Sequence, residues 1–257
     1  MWLSLLTAAW AADPPTPEAL ASAWAAVTPV IAAEGRLPLP PLSAKHWQDI
    51  ADGEVVKLRM DGGAGADRAV GVGWLPYPID AVWVGVLDDV HDDLVSGLSE
   101  TWLPGTVPGH KVLYQHLDLP RPFSDRHWVI IIENTRRLYA VSGGAVWERT
   151  WDLDPRGDAA LQDVPPGFVE GFDTAIVTPV NEGGWYLVPA EGGVLVVYQV
   201  RTVVGGNIPD ELIVRYALAT LDELIAHVGE LAARAPNHYV GDHYGIVRPD
   251  GAEIPRW

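Results

Sequence analysis

The chain contains no cysteine, which excludes disulfides, thiolate ligands and a cysteine nucleophile, and leaves the redox compartment unreadable. No apolar run approaches the roughly 20 residues that a membrane-spanning helix needs. Positive charge is scarce. Lys and Arg total 17 against 34 Asp and Glu, a formal charge of −17 over 257 residues. That balance argues against nucleic acid as a partner and against lasting adsorption to anionic lipid. Catalytic motifs are missing too: there is no G-x-S-x-G elbow and no H-E-x-x-H pair. No catalytic residue and no cofactor is therefore assigned. What the chain has in quantity is apolar material, 48% of its residues, including 12 tryptophans. Aromatics cover large apolar areas with few rotatable bonds, in a core or around a bulky ligand.

The chain divides by composition into four stretches. Met1–Ala11 (MWLSLLTAAWA) is short and apolar, and Ala9-Trp10-Ala11 fits a small-x-small cleavage pattern. It predicts a secretory signal, although the basic n-region is missing. The location expected is then periplasmic or secreted, and otherwise cytoplasmic. Residues 12–42 predict a helix capped by Thr16 with Pro17 at its first position, which Pro29 should kink or end. A proline-rich linker, Leu37–Leu42, follows. The globular domain is expected over 43–235, and 236–257 form a tail.

Within that domain the hydrophobic periodicity is mostly that of strands. Glu54–Met60 and Arg68–Trp74 alternate, and the DGGAGAD between them reads as a hairpin turn rather than a phosphate loop, since no helix follows. Ile79–Leu87 reads as a short buried helix, Asp88–Asp93 as a solvated acidic turn, and Asp92–Trp102 as a second short helix. Leu138–Ala145 reads as a loop. Asn181-Glu182-Gly183-Gly184 and Glu191-Gly192-Gly193 both carry turn chemistry. Pro209 to about Ala235 places Ile213, Ala217, Leu221, Leu224 and Val228 at helical spacing. Glycine turns between alternating strands imply an antiparallel meander, and the long last helix is the element able to cover its apolar face.

The stretch from Leu117 to Ile132 (LDLPRPFSDRHWVIII) ends one strand at Pro120 and Pro122 and starts another after Ser124-Asp125-Arg126. This corner resembles the START family, the steroidogenic-acute-regulatory-protein-related lipid transfer domains. The resemblance extends to Trp47 with Asp52-Gly53, to Pro78–Trp83, and to Val194–Thr202 followed by Gly205-Gly206-Asn207-Ile208-Pro209, spanning roughly Ser43 to Ala235. His127 departs from it, since many members place an acidic residue there. The resemblance implies an α+β helix-grip fold, a curved antiparallel sheet wrapped around a long C-terminal helix and enclosing an apolar cavity.

The resemblance also implies that ligand binds between the sheet's inner face and the closing helix. Apolar parity assigns to that face Val56, Leu58, Val72, Trp74, Trp128, Ile130, Trp147, Trp151, Trp185, Tyr198 and Val200. The helix adds Ile213, Ala217, Leu221 and Leu224. A one-residue register error would move a whole strand to the other face. His110–Leu119 is apolar on both parities; Tyr114 is counted with the ligand-binding set, and Gln115 and His116 join it if the strand faces inward. Asp125 and Arg126 have two readings: a structural ion pair that ties down the corner, which the turn chemistry favours, or Arg126 reaching a ligand's polar head. His238, Asp242 and His243, like the acidic Asp88–Asp93, hint at a metal, but an inert tail and a solvated turn are the better readings, and no metal site is assigned.

Two functions follow. The first is a monomeric carrier that binds one sterol, phospholipid or other lipid and transfers it between membranes through transient contacts. Its expected gates are Leu138–Ala145, with Leu138, Tyr139 and Val141 touching lipid, and the first turns of the closing helix. The second is a helix-grip enzyme, a cyclase or hydrolase. It requires His116, Tyr114 and Asp118 to converge inside the cavity.

Overall fold

One sheet of nine strands dominates the computed structural model, which describes residues 14–63, 66–87, 97–238 and 246–254. In chain order the strands are β1 (Val56–Met60), β2 (Arg68–Leu75), β3 (Leu98–Trp102), β4 (His110–Leu117) and β5 (Arg126–Asn134). They continue as β6 (Trp147–Leu153), β7 (Ile176–Val177), β8 (Val180–Ala190) and β9 (Gly193–Val203). In space the order is β1-β2-β9-β8-β6-β5-β4-β3, antiparallel at every step. The two-residue β7 lies off this path, parallel to the start of β5. The β1–β2 and β8–β9 connections are hairpins, as their glycine-rich turns predict.

The inner face is closed by the long helix α5 (Asp210–His238), which rests on β2 and β9 and against the short helix α3 (Ile79–Leu87). Pro209 precedes it, and Asp210 and Glu211 sit in its first turn, where the helix dipole favours negative charge. Val214, Leu221, Ile225, Val228, Ala232 and Ala235 are its buried stripe. Every residue of α3 from Ala81 to Leu87 is buried, which explains its unbroken apolar sequence.

The outer face is covered as well. Helix α1 (Pro17–Glu34) is capped by Thr16, whose hydroxyl accepts from the Ala19 amide at 3.2 Å, and it continues across Pro29. Leu20, Trp24, Val27 and Ile31 are buried against Val70, Val72, Tyr186, Val188, Leu195 and Val197. Burying each such side chain contributes about 1.5–3 kcal/mol. The chain after α1 is tied to the same face. The Tyr186 hydroxyl donates to the Leu37 carbonyl at 2.8 Å and accepts from the Leu37 amide at 3.0 Å. Gln199 Nε2 donates to the Pro38 carbonyl at 2.7 Å. A second helix, α2 (Ala44–Ala51), opens with a capping box between Ser43 and His46. Further along the sheet, Phe172, Val169 and Leu161 of the excursion between β6 and β7 cover Val112, Tyr114 and Val129.

Three local expectations change. Residues 98–102 are strand, not helix, because Leu98–Trp102 pairs in full with Leu113–Leu117. Arg136–Val141 form a short helix, α4, which takes in the first half of the expected loop. Asn181–Gly184 are not a turn. They run inside β8, with Gly183 paired to Val200 and Trp151 and Gly184 to Gln199 and Thr150. Glycine here supplies room. A Cβ at Gly183 would overlap the Trp151 ring and the Gln199 carbonyl. Met1–Ala11 and the Asp88–Asp93 turn lie outside the described residues, as do Asp242, His243 and the side chain of His238.

Candidate functional site: an apolar cavity between sheet and closing helix

Between the inner face and α5 lies a cavity of about 360 Å³. Its walls follow from strand parity. Leu113 and Leu117 of β4, Trp128, Ile130 and Ile132 of β5, Trp151 of β6, Trp185 of β8, and Tyr198 and Val200 of β9 all point into it. Ile213, Ala217, Thr220 and Leu224 close it from the helix. The aromatic wall is continuous. Trp185 and Tyr198 are cross-strand partners with ring centroids 4.6 Å apart, and the Trp151 ring lies 5.7 Å from Tyr198.

Of the residues assigned from sequence, Trp128, Ile130, Trp151, Trp185, Tyr198, Val200, Ile213, Ala217 and Leu224 line this cavity. Leu58, Val72 and Trp74 do not, and neither does Val56. They sit on the outer face beneath α1 and α2. The inner positions of β2 are Ala69, Gly71 and Gly73. Leu221 and Ile225 of α5 come so close that a Cβ on Gly71 would meet Leu221 and Ile225 at 3.3 Å. Val56, Leu58, Val70, Val72 and Trp74 therefore face the N-terminal helices, the small residues make room for α5, and Leu75 at the end of β2 packs with Ile225 and Val228 of that helix. Tyr114 also lies on the outer face, packed with Phe168, Phe172 and His127. Trp147 and Leu221 have the expected parity but fill core beyond the cavity. Trp147 meets Trp83 edge-on at 5.4 Å and donates from Nε1 to the Gly144 carbonyl at 3.1 Å, and Leu221 lies against Gly71.

Sequence reasoning passed over several polar groups in the wall: Asp67, Glu100, Arg149, Asn181 and Thr202. Arg149 shares the parity of Trp147 and Trp151, and that was the signal available for it. Its guanidinium donates to the Val86 carbonyl of α3. Gln115, left open with its strand, faces inward. It accepts from Trp128 Nε1 at 2.6 Å and donates to Glu100. Asn181 Oδ1 accepts from Trp151 Nε1 at 2.8 Å. Burial pushes the Tyr198 hydroxyl above the ordinary phenol range, so it stays protonated and available as a donor. The site offers apolar area, hydrogen bonding from neutral groups, and the charges of Asp67, Glu100 and Arg149 in its wall. Among the described residues no group of three His, Cys, Asp or Glu could hold a metal ion.

The corner takes no part in the cavity, and its arginine is held by backbone carbonyls, that of Asp125 among them at 3.3 Å, rather than by the Asp125 carboxylate. Arg126 is 1% exposed and donates from Nε to the Val204 carbonyl at 2.6 Å and from Nη2 to the Gly205 carbonyl at 2.9 Å, with Nη1 on the Ser124 carbonyl. It fastens the corner to the loop leading into α5. Asp125 Oδ1 accepts from the Leu119 amide at 3.1 Å, closing the corner on itself. The expected gate over Leu138–Ala145 is not at the cavity. Leu138 is fully buried beneath α1, and Tyr139 packs on Trp147. The first turns of α5 do border it. There Tyr216 lines the cavity while 56% exposed, and Leu212 is 54% exposed.

No protein-family model matches the sequence, and no curated protein matches it significantly. Solved structures do resemble the fold. A STAR-related lipid transfer protein fragment from Xanthomonas axonopodis aligns at 23% identity and TM-score 0.49, covering 68% of this chain and 92% of that one. Human StAR-related lipid transfer protein 5 aligns at 13% identity and TM-score 0.49, covering 86% of this chain and 99% of that one. A Streptomyces aromatase/cyclase aligns at 13% identity and TM-score 0.40, covering 68% and 98%. The sheet order, the buried α3 and the closing α5 decide the architecture. The fold is a helix grip. In this helix grip the cavity lies where the sheet and α5 part, and no described helix is long and apolar enough to cross a membrane.

Proposed function

We propose that the protein binds one hydrophobic molecule in this cavity and carries it between membranes. The observation that carries the reading is the cavity itself: a space walled by Trp128, Trp151, Trp185, Leu113, Ile130 and Leu224 in a domain whose two largest cores are packed against helices on either face of the sheet. Burial of apolar ligand surface contributes roughly 25 cal/mol per Å², and the surrounding protein excludes water. Exchange takes place at the start of α5, where Leu212 and Tyr216 are exposed beside the opening. With a net charge of −17, contact with membranes is brief and favours uncharged lipid surfaces. The carrier works as a monomer, and export by Met1–Ala11 would place this traffic in the periplasm or outside the cell.

The enzyme reading loses its named residues. Tyr114 and His116 are buried on the outer face of β4, and His116 and Asp118 border a polar cleft there, on the opposite side of the sheet from the cavity. The test is native mass spectrometry of protein purified from its own host, followed by extraction of the adduct. A stoichiometric apolar adduct supports the carrier. An apo mass, together with no uptake of any lipid from neutral vesicles, would overturn it.

A further inference from the structure

Two tryptophans in the cavity wall each orient a side-chain amide, and the two amides end differently. An indole N–H only donates, so an amide bonded to it must turn its oxygen to the ring and its NH₂ away. At the first pair, Trp128 Nε1 meets Gln115 Oε1, and the freed NH₂ donates to the Glu100 carboxylate. At the second, Trp151 Nε1 meets Asn181 Oδ1 at 2.8 Å, and the freed NH₂ has no acceptor among the described residues. Asn181 is 8% exposed and lines the cavity. Tyr198 lines the same cavity, and its ring lies 5.7 Å from Trp151. Its hydroxyl too makes no hydrogen bond to a described residue. Neither donor is sealed in the core; both belong to residues of the cavity wall, so a ligand that fills the cavity covers them and must supply an acceptor or leave them unpaired.

We propose that the cavity selects an uncharged hydrophobic molecule bearing one hydrogen-bond acceptor, a ketone, ester carbonyl or hydroxyl oxygen, which the Asn181 amide and the Tyr198 hydroxyl receive. This rests on the carrier reading and specifies its ligand class. An anionic head is disfavoured because both donors are neutral and the carboxylates of Asp67 and Glu100 border the same space. The cation of the wall, Arg149, is engaged with the Val86 carbonyl. A cavity of about 360 Å³ suits one chain or one compact ring system and is small for a two-chain phospholipid.

The experiment measures displacement of bound N-phenyl-1-naphthylamine by dodecane, dodecan-2-one and dodecanoate. The wild-type protein should bind the ketone about tenfold more tightly than the alkane, the worth of one buried hydrogen bond. It should also bind the ketone more tightly than the carboxylate. Asn181→Asp keeps an acceptor for Trp151 and deletes the donors, and it should remove the preference for the ketone. Tyr198→Phe should reduce that preference, read as the ratio of ketone to alkane affinity within the same variant. Equal affinity for ketone and alkane, a preference for dodecanoate, or an undiminished ketone preference in both variants would overturn the proposal and leave the carrier reading standing. Failure of all three compounds to displace the probe would overturn both. Circular dichroism of each variant guards against misfolding, and Tyr198→Phe serves alone if Asn181→Asp does not fold.

Discussion

The Trp151 indole lies across Gly183, its cross-strand partner, so closely that a methyl group on Gly183 would occupy the space of the ring. This contact positions the indole whose N–H meets Asn181, two residues before Gly183 on β8. It also explains why a glycine stands at position 183 of an eleven-residue strand, while its neighbour Gly184 leaves room for the Arg149 carbonyl and Leu37.

Gly183→Ala should therefore destabilise the fold by about 1–3 kcal/mol, the usual cost of overpacking, since the Gln199 backbone carbonyl also blocks the new methyl. The midpoint of urea unfolding reports it. Trp151 should shift at the same time, visible as a change in near-ultraviolet circular dichroism. An unchanged midpoint would show that the strand relaxes around the methyl and that the contact does not fix Trp151.

The same glycines mark how far the sequence was legible. Asn-Glu-Gly-Gly has the composition of a turn, and nothing local distinguishes a glycine required by a neighbour's bulk from one required by backbone conformation. The sheet, the buried α3 and the closing helix were readable because alternation and the 3.6-residue period are local patterns. Inner-face parity was right for β5, β6, β8 and β9 and inverted for β1 and β2. Periodicity separates two faces but does not say what covers each. Where α5 packs closely, the inner face is Ala69, Gly71 and Gly73, and the large residues Val72 and Trp74 face α1. The polar part of the cavity was hidden for a related reason. Asn181 was read as loop, and Gln115 lay on a strand with apolar residues on both parities.

Ala217 is the small residue on the helical wall of the cavity, facing the space bounded by Trp128, Ile130 and Tyr198. Ala217→Trp should fill that space and abolish ligand uptake. The fold should persist, because the buried stripe of α5 (Val214, Leu221, Ile225 and Val228) lies beside this position and not through it. Native mass spectrometry with a lipid and thermal unfolding without one separate the two effects. Retained binding in a folded variant would place the ligand elsewhere.

Arg126 is a buried cation solvated by backbone carbonyls, and burial holds its pKa below the usual arginine value. Arg126→Met would leave the Val204 and Gly205 carbonyls without their donor. Hydrogen bonds to a charged group are worth about 1.5–3 kcal/mol, so stability should fall by that order. The specific consequence is local. Amide exchange should accelerate over residues 204–212, where the chain enters α5 beside the cavity opening. Equal acceleration across the whole sheet would show that Arg126 supports the fold at large rather than this junction.

His127 connects the outer face to pH. Its ring is 3% exposed, its Nδ1 lies 3.3 Å from the Tyr114 hydroxyl, and Phe172 packs on it at 5.2 Å. Burial lowers its pKa from the ordinary 6.5, His116 adds to the lowering, and Asp158 opposes it. The unfolded chain therefore takes up a proton near pH 6.5 that the folded protein refuses. Stability rises with pH wherever the unfolded state binds more protons, so acidification should weaken the fold. The contribution is complete above pH 6.5 and is lost as pH falls from there toward the lowered folded value. The interval from pH 7 to about pH 5 lies above the ordinary carboxylate range and isolates this effect from most Asp and Glu. Urea midpoints should fall across that interval in the wild-type protein, and His127→Gln, which cannot take up the proton, should fall less. If the variant shows the full wild-type slope, another group carries the pH dependence and His127 is merely packed.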